Sequence, residues 1–231
     1  YLENTDRHLF VVDAFGGPPR QLTDGPFDHG GPLIWTDERT ILFSANRRED
    51  RRRHPNDTEL WTVDASTKAL TKLTDREGPD GSPVFDRESG TLYWSGYDDR
   101  RQGHQQPEIY SSPIGGAAIR VLTGSVDRII SDLHVDGGRL HASLSSEGVK
   151  SLVELSADGE PSAVRFPLHG MGSGRPYSGG EFDVRGGTLA WVGGDPTWPG
   201  ELHVQRGGDV RQVTDVNSDL RETGQLGRVE E

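Results

Sequence analysis

Residues 32–75 read PLIWTDERTILFSANRREDRRRHPNDTELWTVDASTKALTKLTD and contain four short apolar runs separated by turn residues. The runs are Pro32-Leu33-Ile34-Trp35, Thr40-Ile41-Leu42-Phe43-Ser44, Glu59-Leu60-Trp61-Thr62-Val63-Asp64 and Leu70-Thr71-Lys72-Leu73-Thr74-Asp75. Each run is too short for a helix of average length and is rich in the β-branched and aromatic residues that suit a strand. The stretch therefore predicts one four-stranded antiparallel unit, whose strands we call a, b, c and d.

The unit recurs along the chain, which is the mark of a propeller or a solenoid. Strand c recurs with starts 51, 49, 43 and 50 residues apart, at Leu9, Leu60, Ile109, Leu152 and Leu202. Strand d recurs as Arg20-Gln21-Leu22-Thr23-Asp24, Thr71-Lys72-Leu73-Thr74-Asp75, Arg120-Val121-Leu122-Thr123-Gly124 and Arg211-Gln212-Val213-Thr214-Asp215, with a degenerate copy at Val164-Arg165-Phe166. An ordinary β-sandwich would also show short strands, but its architecture does not require Leu-Thr-Asp at the same position in every group of four strands.

These repeats predict an all-β fold, a β-propeller of four-stranded antiparallel blades with about four and a half blades present. The expected divisions are a half blade at 1–24, blades at 31–75, 82–123, 130–167 and 179–215, and a polar linker at 216–231. The first segment holds strands c and d without a preceding a and b. We therefore expect the chain to be part of a larger propeller.

Composition agrees with this fold and narrows the class of partner. The 31 glycines and 14 prolines supply turn residues for many tight connections. The chain has no cysteine, a net charge of −12 and no long apolar run. We expect a protein of the cytoplasm that binds neither a membrane nor a nucleic acid, since nucleic-acid binding needs a concentrated basic surface.

Several segments carry a resemblance to a known family. They are the recurrent Leu-Thr-Asp of strand d, Pro32-Leu33-Ile34-Trp35-Thr36-Asp37 of strand a, Asn46-Arg47-Arg48-Glu49-Asp50 leading to Asp57-Thr58-Glu59-Leu60-Trp61, and Gln212-Val213-Thr214-Asp215-Val216-Asn217 followed by Leu226-Gly227-Arg228-Val229-Glu230. Together they resemble the propeller of the prolyl oligopeptidase family, most of all its acylaminoacyl-peptidase and dipeptidyl-peptidase-like bacterial branch. The blade motifs alone are shared with TolB-like propellers. The closing segment is the more specific feature.

The resemblance implies a propeller of typically seven blades that caps the active site of an α/β-hydrolase domain and limits entry to short peptides. An α/β-hydrolase nucleophile lies in Gly-x-Ser-x-Gly, which is absent from this sequence. Gly170-Met171-Gly172-Ser173-Gly174 places its serine one position late, and it lacks the Gly-Lys-Ser/Thr ending of a phosphate-binding loop. We therefore expect no catalytic residue here and no activity for this segment alone. The expected partners are the hydrolase domain of the same polypeptide and peptide substrates, and a homo-oligomer is left open.

The loops between strands b and c offer the candidate contact residues. Five arginines lie within 47–54, and two more follow in the next b–c loop; the set is Arg47, Arg48, Arg51, Arg52, Arg53, Arg100 and Arg101. Strand alternation places both loops at the same end of the blades as the d–a connections. Arginine pairs bidentately with carboxylates, so these residues are candidates for contact with a peptide or with the hydrolase domain. A solvated charged loop is the alternative. Trp198, in a loop of its own, is a further candidate contact. The other four tryptophans fall inside predicted strands, where we expect their rings to pack between blades; they are Trp35, Trp61, Trp94 and Trp191.

Two other functions are compatible with the blades. A TolB-like propeller would bind proteins, and a metal-dependent lyase or lactonase would place ligands on successive strands a. For the latter the sequence offers only Asp132, His134 and Asp183. His134 and His141 flank a turn, but no cysteine or third histidine lies at ligand spacing. We therefore expect no metal site and no cofactor.

Overall fold

A computed structural model describes residues 6–115, 118–162, 165–169, 179–195 and 198–224. The described residues form short strands and one short helix. The elements are β1 (Phe10–Val11), β2 (Arg20–Gln21), β3 (His29–Trp35), β4 (Thr40–Ala45), β5 (Glu59–Asp64), β6 (Leu70–Lys72), β7 (Asp80–Asp86), β8 (Thr91–Gly96), β9 (Glu108–Pro113), β10 (Arg120–Val121), β11 (Ile129–Asp136), β12 (Arg139–Ser146), β13 (Val149–Leu155), β14 (Phe166–Leu168), β15 (Phe182–Arg185), β16 (Thr188–Asp195), β17 (Trp198–Arg206), β18 (Asp209–Gln212) and α1 (Ser218–Thr223).

The strands form four four-stranded antiparallel sheets and one two-stranded sheet. In each larger sheet, strands that follow one another in sequence are neighbours, as in β3-β4-β5-β6. This repeated four-stranded meander confirms the predicted all-β propeller class. The chain divides into two compact units, Tyr1–Gly124 and Ser125–Glu231. The separation of a propeller segment at 1–215 from a linker at 216–231 stays a prediction.

A threonine hydroxyl fixes strand d to strand c and explains why the threonine of Leu-Thr-Asp recurs. In each case a strand-c backbone N–H donates to the threonine Oγ1 over 2.8–3.0 Å, in the pairs Leu9–Thr23, Leu60–Thr74, Ile109–Thr123 and Leu202–Thr214. In the degenerate copy the Arg165 N–H donates to the Leu152 carbonyl, and Phe166 follows where the threonine would stand. The motif therefore recurs because the hydroxyl satisfies a backbone donor at the end of the c–d pair.

Strand a contains a bulge at the same place in three sheets. The register shifts inside β3, β7 and β11, where Gly31, Ser82 and Asp132 have φ values of +77°, +48° and +50°. A Cβ on Gly31 would lie 2.5 Å from Ser44 Oγ. Glycine suits the left-handed conformation at that copy, and a Cβ there would have to displace the Ser44 hydroxyl. The other two copies accept an unfavourable backbone conformation.

In the first unit, alternate residues of β4 contribute to two separate clusters. Ile41 and Phe43 pack with residues of the two-stranded sheet, whereas Leu42 packs with a cluster that includes Trp94. In the second unit Trp191 stacks on the Phe166 ring at 4.1 Å between centroids. Both faces of the β3–β6 sheet are thus buried within the first unit, and the two sheets of the second unit pack against each other through one face each. No helix in the described part of the chain is long and apolar enough to span a membrane.

The tryptophan prediction holds only in part. The sequence suggests that tryptophans within strands lie between blades, and Trp94 and Trp191 are buried accordingly. Trp35 is instead 40% exposed. It follows the bulge in β3, and its neighbour Ile34 is the residue that packs into the core.

Candidate functional site

The b–c loops of the first unit and the β6–β7 connection line one polar cavity of about 400 Å³. In an antiparallel meander these connections emerge at the same end of the sheet. We call this the arginine cavity and define it by the charged side chains that line it: Arg48, Arg53, Arg101, Asp57, Glu77 and Asp99. Its lining carries equal numbers of cations and carboxylates.

Arg48 is held by carboxylates of its own loop. Its guanidinium donates to Asp50 Oδ1 at 2.9 Å and to Asp57 Oδ2 at 2.8 Å. The buried Asp57 also accepts the Gly78 N–H at 2.9 Å, and a Cβ on Gly78 would lie 2.0 Å from the Tyr97 carbonyl oxygen. Arg48 therefore braces the cavity wall and is not available to a ligand.

Arg53 and Arg101 are the exposed cations of the cavity, and neither forms an ion pair with a described residue. Arg101 has a φ of +55°, and its N–H donates to Asp99 Oδ1 at 2.7 Å. Asp99 also accepts the Gln105 amide at 2.9 Å, and these hydrogen bonds, that of Gln105 foremost, lower the pKa of Asp99. The cavity thus presents two guanidinium groups beside an ionised carboxylate.

Arg47 and Arg51 pack against an aromatic ring. Their guanidinium carbons lie 4.6 and 5.0 Å from the centre of the Phe27 ring, within cation–π distance. Arg47 also donates to the Asp24 carbonyl at 3.3 Å and contacts His29 Nε2. Both side chains are therefore engaged with their own unit.

His29 is a neutral partner of Arg47. Its Nδ1–H donates to the Arg7 carbonyl at 3.0 Å, which leaves Nε2 as the acceptor for the Arg47 guanidinium. Burial lowers the pKa of His29, and the charge of Arg47 lowers it further. The imidazole is therefore neutral at pH 7.

The remaining sequence candidates lie apart from the arginine cavity. Arg51 and Arg52 line a second cavity of about 370 Å³, together with Arg7. Arg100 is exposed, and its N–H donates to Gln105 Oε1 at 2.6 Å. The prediction that Trp198 lies in a loop is wrong, because this residue begins β17. Its side chain lies outside the described residues, as does the Gly170–Gly174 segment. The structure thus brings three of the candidates together, Arg48, Arg53 and Arg101.

A buried ion pair beside this region escaped the sequence reasoning. Arg76 pairs with the fully buried Asp80 at 2.9 Å, and Trp94 Nε1 donates to the same Asp80 oxygen at 2.9 Å. The Arg76 guanidinium carbon lies 3.8 Å from the centre of the Tyr110 ring. Asp80 starts strand a at the position that His29 occupies in the preceding blade, so an alignment of the repeats could have revealed a recurrent polar position.

The three acidic and histidine candidates on strands a do not form a metal centre. Asp132 pairs with Lys150 Nζ at 2.6 Å and accepts the Ser143 hydroxyl at 2.7 Å. Although its burial opposes ionisation, these two partners lower the pKa of Asp132. His134 pairs with Asp183 at 3.2 Å. Across the described ranges, no group of three or more histidine or acidic side chains could hold a metal ion.

Comparison with known proteins relates part of the chain to a described family. Residues 3–100 match the family described as the dipeptidyl peptidase IV (DPP IV) N-terminal region. The predicted resemblance to propellers of prolyl oligopeptidase-family peptidases is confirmed. No curated protein sequence matches the chain.

Solved structures share the fold. An acylaminoacyl peptidase from Pyrococcus horikoshii superposes with a TM-score of 0.66 at 17% identity, covering 93% of this chain and 32% of that one. TolB from Acinetobacter baumannii gives 0.60 at 16% identity, covering 90% and 48%. An oligogalacturonate lyase in complex with manganese gives 0.65 at 14% identity, covering 90% and 59%. The chain therefore spans between about a third and three fifths of the length of these proteins.

Proposed function

We propose that the chain is the non-catalytic propeller portion of a serine peptidase of the acylaminoacyl-peptidase or dipeptidyl-aminopeptidase type. The proposal rests on the match of residues 3–100 to the dipeptidyl peptidase IV N-terminal region, together with the four-stranded blades. In this role the propeller caps the active site of an α/β-hydrolase domain in the same polypeptide and restricts access to short peptides. With its lack of cysteine, the chain suits the reducing cytoplasm, which we propose as its location.

Capping is tested by substrate length in the protein made from the complete gene. Acylated and free-ended peptides of three to forty residues carry the same scissile bond and a fluorogenic leaving group. A capping propeller makes kcat/KM fall at least about 100-fold between the shortest and longest peptides, because long chains are excluded sterically. Cleavage that is independent of length refutes capping, and absence of peptidase activity refutes the peptidase assignment itself.

We further propose that the arginine cavity receives the carboxylate of a peptide substrate. Arg53 and Arg101 are exposed and unpaired with described residues, and guanidinium groups recognise carboxylates by paired hydrogen bonds. The neighbouring Glu77 and Asp99 suit the opposite charge of the same small ligand. A peptide carries charges of both signs, whereas a uniformly acidic protein surface carries only negative charge. We therefore favour a peptide substrate as the ligand of this cavity.

The double variant Arg53→Glu/Arg101→Glu tests this contact in the full-length protein. We expect KM for short peptides to rise about tenfold at constant kcat, the effect of losing about 1.4 kcal/mol of binding. The double variant Arg20→Glu/Arg211→Glu, on exposed β2 and β18, makes the same charge change outside the cavity lining and serves as the matched control. Unchanged KM in the double variant refutes the substrate contact. Unchanged KM together with loosened packing of the two domains assigns the arginines to the hydrolase interface instead.

A protein-binding propeller is the second candidate, because TolB matches over 90% of this chain. The complete gene separates the two readings. A polypeptide with Gly-x-Ser-x-Gly followed by aspartate and histidine supports the peptidase, whereas a propeller without that module supports protein binding.

A further inference from the structure

The loop between β8 and β9 presents Arg101 to the arginine cavity from a strained turn. Arg101 has a φ of +55°, a left-handed conformation that residues other than glycine rarely adopt. The loop does contain a glycine, but it is Gly103, whose φ is not left-handed. A long cationic side chain thus occupies the position where glycine would relieve the strain. Such strain persists only where surrounding contacts fix it, and it is concentrated at functional sites.

Gln105 and Asp99 supply the contacts that fix this turn. The Arg101 N–H donates to Asp99 Oδ1 at 2.7 Å, and the side-chain amide of Gln105 donates to the same oxygen at 2.9 Å. The carbonyl oxygen of Gln105 accepts the Arg100 N–H at 2.6 Å. One carboxamide therefore holds both the carboxylate that bonds Arg101 and the backbone that precedes it.

The turn is anchored to the wall of the cavity. The Asp99 N–H donates to the Glu77 carbonyl at 2.9 Å, and the next residue, Gly78, donates its N–H to Asp57 Oδ1 at 2.9 Å. The β6–β7 connection thus joins the two loops that carry the arginines of the cavity. Space at this junction is tight, because a Cβ on Gly78 would lie 3.0 Å from the Asp99 backbone nitrogen. The turn therefore has a fixed position relative to the opposite loop.

Gln105 itself lies behind the cavity surface. It is half-buried and absent from the lining, whereas Arg101 is exposed and lines the cavity with Asp99. Both ends of the Gln105 carboxamide are bonded within the loop. A side chain that is already oriented binds a ligand at a lower entropic cost than one that must first be ordered. Gln105 therefore affects a ligand through Arg101 and Asp99.

We propose that Gln105 is a positioning residue for the substrate, which holds Arg101 where its guanidinium meets the carboxylate of a bound peptide. The inference rests on the proposed carboxylate contact of the arginine cavity and adds the residue that orients it. Because Gln105 is uncharged and lies outside the lining, its loss affects peptides that carry a carboxylate and spares those that do not.

Two tetrapeptides measure this effect in the full-length protein. They have the same sequence without acidic side chains, one ends in a free carboxylate and the other in a carboxamide, and the products are quantified by chromatography. We expect Gln105→Ala to raise KM for the carboxylate peptide about fivefold at constant kcat and to leave KM for the amide unchanged. Gln105→Glu keeps an acceptor for the Arg100 N–H but repels Asp99, so it changes KM in the same direction.

Gln102→Ala is the matched control. Gln102 is exposed in the same loop, has no hydrogen bond to a described residue and is absent from the cavity lining. Its replacement makes the same chemical change and should leave KM unchanged for both peptides. Thermal unfolding of each variant establishes that it is folded, so a change in KM reports on the site.

A double-mutant cycle shows whether Gln105 acts through Arg101. Arg101→Gly removes the guanidinium and suits the left-handed backbone, so nothing is left for Gln105 to orient. In that background Gln105→Ala should change KM for either peptide by less than about twofold. A further rise as large as that in the parent protein shows that Gln105 acts independently of Arg101 and overturns the proposal.

The outcomes separate this inference from the proposed function. If the parent protein prefers the carboxylate peptide and Gln105→Ala keeps that preference, the positioning role alone is wrong. If the parent protein has the same KM for both peptides, the carboxylate contact is wrong and the positioning role is lost with it. A parent protein without peptidase activity removes the peptidase assignment and this inference together.

Discussion

Replacing Thr74 by valine removes the hydroxyl that joins strands c and d while preserving the shape of the side chain. Thr74 Oγ1 accepts the Leu60 N–H at 2.9 Å and donates to Glu59 Oε2 at 2.6 Å. All three residues are buried. An unsatisfied buried N–H costs about 1–3 kcal/mol, and a hydrogen bond to a charged group contributes about 1.5–3 kcal/mol. Because Glu59 keeps its bonds to Lys72 and to the Arg76 N–H, we expect the total loss to be about 3 kcal/mol.

Urea unfolding followed by tryptophan fluorescence measures this loss, with a fall of about 10 °C in Tm as a second readout. Thr71→Val on the exposed face of β6 is the matched control, because it makes the same chemical change where no side-chain hydrogen bond to a described residue is lost. Its free energy of unfolding should change by less than about 0.5 kcal/mol. If Thr74→Val unfolds within about 0.5 kcal/mol of this control, the hydroxyl does not hold the two strands together and the physical explanation of Leu-Thr-Asp fails.

Three further predictions concern pH and backbone space. Burial lowers the pKa of His29, so the contribution of His29 to stability is complete above about pH 6.5 and falls as the pH drops below that value. His29→Asn should therefore weaken the dependence of the urea midpoint on pH between pH 7.5 and 5, and a pH dependence equal to that of the parent chain contradicts the prediction. The Thr214 hydroxyl, with Asn217 and the Val216 N–H, lowers the pKa of Glu201 to about 2, so the stability that Glu201 contributes is present above about pH 4.5 and is lost towards pH 2. Glu201→Gln should lower Tm at pH 7 and remove this dependence on acid, and acid unfolding curves that coincide with those of the parent contradict the prediction. Gly78→Ala should lower the free energy of unfolding by more than about 2 kcal/mol because its Cβ would lie 2.0 Å from the Tyr97 carbonyl oxygen, whereas Gly81→Ala, with open space around its Cβ, should change it by less than about 1 kcal/mol. Equal urea midpoints for the two variants refute the steric argument.

The fold could be predicted because its signals are local and repeated. Each strand is a short run bounded by turn residues, and strand c recurs at steps of 43 to 51 residues. The fixed phase of Leu-Thr-Asp follows from one hydrogen bond made in four sheets. The bulge in strand a could not be predicted in the same way, because glycine, serine and aspartate occupy its left-handed position and only the first favours that conformation. That bulge is also why the exposure of Trp35 was misjudged.

The pairing of polar groups between blades was likewise beyond the sequence. Asp80 looks like an ordinary turn residue ahead of a strand, yet it is fully buried between Arg76 and the Trp94 indole. His141 looks like a solvent-facing partner of His134, and the two are indeed in register on β11 and β12. Its burial depends on the neighbouring sheet, whose packing against β12 is not encoded in the local pattern.

The availability of each arginine is decided by partners elsewhere in the chain, and this sets where a charge-reversal experiment is informative. Arg48 is neutralised by Asp57, nine residues away, and Arg51 lies on the Phe27 ring. Reversing Arg51, Arg52 and Arg53 together would remove a ring contact and two exposed cations at once, so lost activity could reflect damaged packing. Arg53 and Arg101 come from different loops, line the same cavity and make no ion pair with a described residue. Changing only those two alters the charge offered to a ligand while Arg48 and Asp57 keep the wall in place, so a change in KM can be assigned to the contact itself.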